Sequence, residues 1–308
     1  MKVLFLGTPD FAVPSLAALL RSRHKVVGVV TQPDRAVKHG KTETGAVKKY
    51  AADAGLPVFQ PIKIRNDVEQ LKRFGADIAV TAAYGQLLDA AVLNAFERGV
   101  INVHASLLPK YRGASPIQSA IAAGETRTGV TIMRTELGLD TGDILAVRET
   151  EIGATETAGE LSARLAEIGA ELLVQTLDDF DGIKPIKQDD DKATKCRTIK
   201  KSEQFIDFER DSVSVVNMIR SLSPTPCAKT VIGGETYKIY EAKSACVDDA
   251  TESTADAGAI LKSDGKVIIA CARGALDILK IQAPSKRALD IKEFLRGKKF
   301  EVGVICGN

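Results

Sequence analysis

Short unbroken apolar runs alternate with helical periodicity through the first half of the chain. The runs are KVLFLG (2–7), KVVGVVT (25–31), ADIAVTAAY (76–84), VINVHAS (100–106) and TGVTIMRT (128–135). Between them PDFAVPSLAALLRS, TGAVKKYAADAG and SPIQSAIAAG read as helices. Strands that are apolar on both faces and separated by helices predict a mostly parallel, doubly wound sheet covered on each side. In such a sheet ligands sit beyond the carboxyl ends of the strands. Leu161, Leu165, Ile168 and Leu172 then share one helix face, and Thr157 with Glu160 forms a capping box at its start. That helix is expected to end the first domain.

The pattern breaks at DGIKPIKQDDDKATKCRTIKKSEQ (181–204), which is polar, acidic at first and basic at its end. It reads as a linker. A short helix, SVSVVNMIRSL, follows, and then brief strand-like runs separated by GG, SDG and ARG turns. This second pattern predicts a small barrel or sandwich. The expected division is 1–186 for the α/β domain, 187–206 for the linker and 207–308 for the barrel.

Composition narrows the function classes. A net charge of +2 announces no bulk field for nucleic acid, so any such contact needs local clusters. Five scattered cysteines, with no Cys-x-x-Cys pair, and three histidines speak against a disulfide framework or a Cys/His zinc site, and fit a reducing cytoplasm. KVLFLG is too short for a signal peptide, and no run approaches the length of a bilayer span, so a soluble cytoplasmic protein is expected. The turn after the first strand, FLGTPDF, carries only Gly7 where a dinucleotide fold needs G-x-G-x-x-G. NAD and FAD are thereby disfavoured.

INVHASLLPKYRG (101–113) carries the candidate chemistry. Residues i and i+2 of a strand share a face, so Asn102 and His104 project together. An amide donor beside a group that titrates near neutrality suits acyl transfer, one steadying an oxyanion while the other moves a proton. A buried Asn-His pair tying the strand end to its loop satisfies the same spacing equally well. ELGLDTGDIL (136–145) offers a third member, Asp140, between Gly138 and Gly142 in a loop that follows a strand. By itself it reads as an Asp-Thr-Gly turn capping itself.

Taken together, NVHASLLPKYRGASPIQ and GLDTGD resemble the signature of the folate-dependent formyltransferases. FLGTPDFAVPSL, TQPDR, GLPVFQP, AYGQLL, TGVTIM and NMIRSLSPTPCA extend the resemblance along the chain and toward the tRNA-acting branch. It implies a Rossmann-like catalytic domain and an OB-like barrel that binds tRNA. It also implies transfer of a formyl group from 10-formyltetrahydrofolate to the methionine amino group of initiator methionyl-tRNA, without a metal and without an obligate protein partner.

On the same resemblance Asn102, His104 and Asp140 match the catalytic trio. Ser106, Leu107, Leu108 and Pro109 match the folate turn, beside Ala83, Tyr84, Gly85 and Gly138. Basic residues Arg35, Lys38, His39, Lys41, Lys200 and Lys201 are placed toward tRNA. The chain departs from the family in three places. VKHGKTETG stands where the family loop is richer in Gly and Arg, Asp89 replaces a proline after AYGQLL, and TKCRTI lacks the usual aromatic near 195.

Overall fold

The computed structural model describes residues 1–36, 42–246 and 255–307. The chain forms two compact units. One comprises Met1–Pro116, Arg127–Glu151 and Ser162–Cys196, the other Ile117–Thr126, Ile152–Leu161 and Arg197–Asn308.

The first unit is built in chain order from β1 (Lys2–Gly7), α1 (Val13–Arg21), β2 (Lys25–Val30), β3 (Arg35–Ala36), β4 (Thr42–Glu43), α2 (Ala46–Asp53), β5 (Val58–Phe59), α3 (Val68–Lys72), β6 (Ile78–Ala82), α4 (Ala90–Leu93), β7 (Val100–His104) and β8 (Arg112–Gly113). It continues with β9 (Arg127–Arg134), β10 (Ile144–Glu151), most of a helix spanning Ala158–Asp178, and β11 (Lys195–Cys196). Seven strands make the main sheet in the order β10-β9-β7-β6-β1-β2-β5. The five from β5 to β7 are parallel, and the chain order reverses direction between β1 and β6. Val3, Leu4, Phe5, Leu6, Ile78, Ala79 and Val80 are all inaccessible to solvent, which is why their runs are continuous and not alternating.

The fifth apolar run is an antiparallel strand, not a further parallel one. His104 pairs with Thr131 and Ile101 with Arg134, so β9 starts at the end of the sheet where β7 finishes. Residues 105–126 therefore need not cross the sheet, as a parallel connection would. β10, antiparallel to β9, and the two-residue β5 were not evident in the pattern. Along β10 half-buried and exposed residues are mixed, so it shows no apolar run, and β5 is too short to show one.

The polar stretch read as a linker is structured. β11 pairs in parallel with β8, and Gln188 is buried. Its polarity concealed this because main-chain and side-chain hydrogen bonds, not apolar packing, hold it.

The second unit contains a helix, Ser212–Leu222, capped by Asp211 on the Ser214 N–H at 2.9 Å. Its antiparallel sheet has the path β12 (Ala228–Ile232), β13 (Glu235–Ala245), β16 (Ala275–Gln282), β15 (Val267–Ala270) and β14 (Ile260–Ser263), with β17 (Ala288–Asp290) against β16. The C-terminal segment bridges the two edges, Val231 to Gly307 and Ala259 to Ile305, so the sheet curls into an OB-like barrel. The core centres on Tyr237, edge-on to Phe294 and Phe300. Thr157 and Glu160 form the expected capping box, with Thr157 N–H to Glu160 Oε2 at 2.9 Å and Glu160 N–H to Thr157 Oγ1 at 3.3 Å. The Thr157 N–H and the Thr157 hydroxyl, both donating to Oε2, hold the Glu160 carboxyl below the usual range.

Asp89, where the family has a proline, caps α4 by accepting the Val92 N–H at 3.0 Å. Removing it with Asp89→Ala should cost about 1 kcal/mol, read as a lower denaturant midpoint at unchanged slope.

Candidate active site

The site is assembled at the carboxyl end of the parallel strands, beside the reversal between β1 and β6. There Gly7 faces Ala82 across the sheet, and a Cβ on Gly7 would lie 2.8 Å from that of Ala12. The two loops are laced together: Thr8 Oγ1 donates to the Tyr84 carbonyl at 3.1 Å and accepts from the Gln32 N–H at 3.2 Å. Ala83 and Gly85, at φ 45° and 87°, turn the chain out of β6 and are exposed. Tyr84 between them is turned the other way, into the core, and burial raises its phenol well above the ordinary range.

Asn102 and His104 lie on β7 with the expected two-residue spacing. The Thr81 hydroxyl donates to Asn102 Oδ1 at 2.8 Å, which makes Nδ2 the end left for a ligand. His104 is buried, and its Nε2 stands 3.0 Å from the Tyr111 carbonyl oxygen. A carbonyl only accepts, so Nε2 carries hydrogen and Nδ1 is the nitrogen free to exchange a proton. Nδ1 faces Asp140 Oδ2 at 3.6 Å, with the two side chains 5% and 14% exposed.

Asp140 reaches this position by a route the pattern did not suggest. β9 is antiparallel, so the loop leaves the sheet beside Ile101 and folds back to His104. Asp140 adopts φ 52°, and its Oδ2 accepts the Gly113 N–H at 2.8 Å. Gly113 itself sits at φ 127°, where a Cβ would lie 2.0 Å from the Cys196 carbonyl oxygen. Gly142 is as tightly placed, 2.0 Å from the Arg134 carbonyl on the same construction. Both glycines are required by close backbone approach.

The Ser106–Pro109 turn is fixed from beneath. Thr131 Oγ1 donates to the Ser106 carbonyl at 2.7 Å and accepts the Leu108 N–H at 3.2 Å. The Ser106 side chain is fully buried and donates to the Lys110 carbonyl, so it shapes the turn from inside. Leu107 and Pro109 remain half-buried, and Gly138 is exposed. Among the described residues no group of three or more His, Cys, Asp or Glu could hold a metal ion, and no helix is long and apolar enough to cross a membrane.

The formyl transferase model matches residues 1–177 and the formyl transferase C-terminal domain matches residues 198–299. The chain belongs to the formyltransferase family. Methionyl-tRNA formyltransferase of Lachnospira eligens is 42% identical over 314 residues, covering both chains in full. That of Solibacter usitatus is 43% identical, over 97% of this chain and 96% of its own. Among solved structures, an N-formyltransferase from Helicobacter canadensis, in complex with folinic acid and dTDP-3-aminofucose, shares the fold. Its TM-score is 0.69 at 19% identity, covering 92% of this chain and 100% of its own. HypX from Aquifex aeolicus, solved with tetrahydrofolic acid, matches 98% of this chain and 48% of its own, with a TM-score of 0.67 at 18% identity.

Against this family background two departures acquire a physical meaning. Cys196, in the TKCRTI stretch that lacks the usual aromatic near 195, donates its thiol to the Tyr111 carbonyl at 3.3 Å, the oxygen that also receives His104 Nε2. Asp89 serves as a helix cap in place of proline. Of the basic residues placed toward tRNA, Arg35 lies exposed on β3 in the first unit, and Lys200 and Lys201 lie exposed in the second. Lys38, His39 and Lys41 fall outside the described residues.

Thr81, Tyr111, Gly113 and Gln188 had not been singled out by the sequence. Their contributions are a hydroxyl, a carbonyl, an N–H and an amide whose value depends on folded neighbours.

Proposed function

We propose that the protein transfers a formyl group from 10-formyltetrahydrofolate to the α-amino group of methionine on initiator methionyl-tRNA, with Asn102, His104 and Asp140 as the catalytic residues. The observation that carries this reading is the convergence of an amide, an imidazole and a carboxylate beside the Ser106–Pro109 turn, in a chain matched from end to end by methionyl-tRNA formyltransferases.

The neutral amine attacks the formyl carbon, and negative charge develops on the formyl oxygen. Asn102 Nδ2 donates to that oxygen, its amide oriented by Thr81 before substrate arrives, so little reorganisation accompanies the step. The amine's proton passes to Nδ1 of His104, where the Asp140 carboxylate faces the positive charge. The same proton then reaches the departing folate nitrogen. No covalent intermediate with the protein is needed, because positioning and oxyanion stabilisation together carry acyl transfer. The folate is cradled by the Ser106–Pro109 turn and by the exposed backbone at Ala83, Gly85 and Gly138.

Acid-gel detection of formylated methionyl-tRNA, with purified protein and 10-formyltetrahydrofolate, tests the reading directly. Product should form on initiator methionyl-tRNA and not on a dTDP-amino sugar. Failure on tRNA with turnover of the sugar would replace the acceptor. Arg35, Lys200 and Lys201, with Lys38, His39 and Lys41, contact tRNA phosphates. Replacing Arg35, Lys200 or Lys201 singly by alanine should raise the KM for tRNA, leave that for folate unchanged, and flatten the salt dependence of binding by about one unit of slope each.

A further inference from the structure

We infer that Gln188 is a positioning residue for Asp140: its side-chain amide clamps the catalytic loop in the geometry that faces His104. The inference rests on the role proposed for Asp140. Nε2 of Gln188 donates to the Asp140 carbonyl at 2.9 Å and to the Gly142 carbonyl at 2.7 Å. Both hydrogens of one amide are thus spent on the backbone either side of Thr141. The amide cannot flip, because Oε1 accepts from Arg112 Nε at 3.0 Å and a guanidinium only donates. Arg112 is itself buried and anchored on Asp190 Oδ1 at 2.8 Å.

The loop needs such a clamp. Glu136, Leu137, Gly138 and Leu139 are exposed, so no apolar side chain anchors its outer half. Asp140 is held at φ 52°, a conformation a non-glycine residue keeps only when its surroundings impose it. What imposes it is the Gly113 N–H on the carboxylate and Gln188 on the backbone. Gln188 contacts the backbone carbonyls and Arg112, so it acts through Asp140 and not on substrate.

Two variants and two backgrounds test this. Gln188→Met keeps length and volume but loses both donors and the acceptor. Gln188→Glu keeps an acceptor for Arg112 and replaces the donors by a carboxylate oxygen that faces the two carbonyls. In each, kcat measured by single turnover should fall about ten- to hundredfold, the scale of two lost buried hydrogen bonds, while both KM values stay within about twofold. In an Asp140→Asn background the same substitutions should lower the rate by less than about twofold further, since the residue they position is already disabled. In ligand-free protein the amides of residues 135–143 should exchange about tenfold faster in both variants, with exchange elsewhere unchanged. Wild-type exchange in this loop, or losses that multiply fully with Asp140→Asn, would overturn the inference. If the unaltered protein formylated no acceptor, the functional reading would fall, and the exchange measurement would still decide whether Gln188 clamps the loop.

Discussion

His104→Ala should lower kcat by about a hundredfold to ten-thousandfold, and Asn102→Ala by about a hundredfold to a thousandfold, with the KM for folate little changed. The asymmetry follows from the contacts. His104 Nδ1 is the nitrogen left to exchange a proton, because Nε2 is committed to the Tyr111 carbonyl, and no other imidazole of the chain is placed on β7. Asn102 contributes one oriented donor to a developing charge, worth less than the proton route but absent from the ground state, so its loss falls on kcat. His104→Gln separates the two functions of the ring. Glutamine can still donate to the Tyr111 carbonyl and hold the loop, yet it cannot carry a proton, so it should be folded and nearly as slow as the alanine variant. Single-turnover rates with thermal melts as the folding control decide the matter. Near-normal turnover in either alanine variant would remove these residues from the chemistry.

The second large effect concerns stability and activity together. Gly113→Ala should destabilise the protein by about 3 kcal/mol, the sum of backbone strain at φ 127° and a methyl forced against the Cys196 carbonyl. With about 2 cal/mol/K of unfolding entropy per residue, that is a fall in Tm of roughly 5 °C for a chain of 308 residues. The carbonyl is main chain of β11 and cannot rotate away, so relief requires β8 and β11 to separate. Separation withdraws the Gly113 N–H from Asp140, and kcat should therefore drop even where the variant is still folded. Gly297→Ala is the control, since a Cβ there meets nothing, and it should leave Tm and kcat nearly unchanged. Equal Tm values for Gly113→Ala and the unaltered chain would show that the two strands are not in register as described.

The clamp at Gln188 and the strain at Gly113 bear on one loop from opposite sides. One holds the backbone at Asp140 and Gly142, the other holds the carboxylate. The Asp140 carboxylate, on an otherwise exposed loop, is thus held through buried polar contacts, which are costly to leave half-satisfied and for that reason specify one arrangement.

The sequence by itself determined the class of fold and the identity of the central pair. Runs such as KVLFLG and ADIAVTAAY are apolar on both faces because the strands they form are covered on both, and that is a local property legible without coordinates. The i, i+2 spacing of Asn102 and His104 fixes a shared face on any strand. The capping box at Thr157 and Glu160 is equally local. Only the tertiary structure supplied what a proton-handling pair would need beyond the spacing, an acceptor for His104 Nε2 and a carboxylate facing Nδ1. It also decided the direction of β9, because strand polarity depends on the end of the sheet at which residues 105–126 remain, not on the residues of the strand itself. The stretch 187–196 was opaque for a related reason. Gln188, Arg112 and β11 are held by hydrogen bonds between segments about 76 residues apart, and hydrogen bonding across such separations leaves no periodicity in the chain.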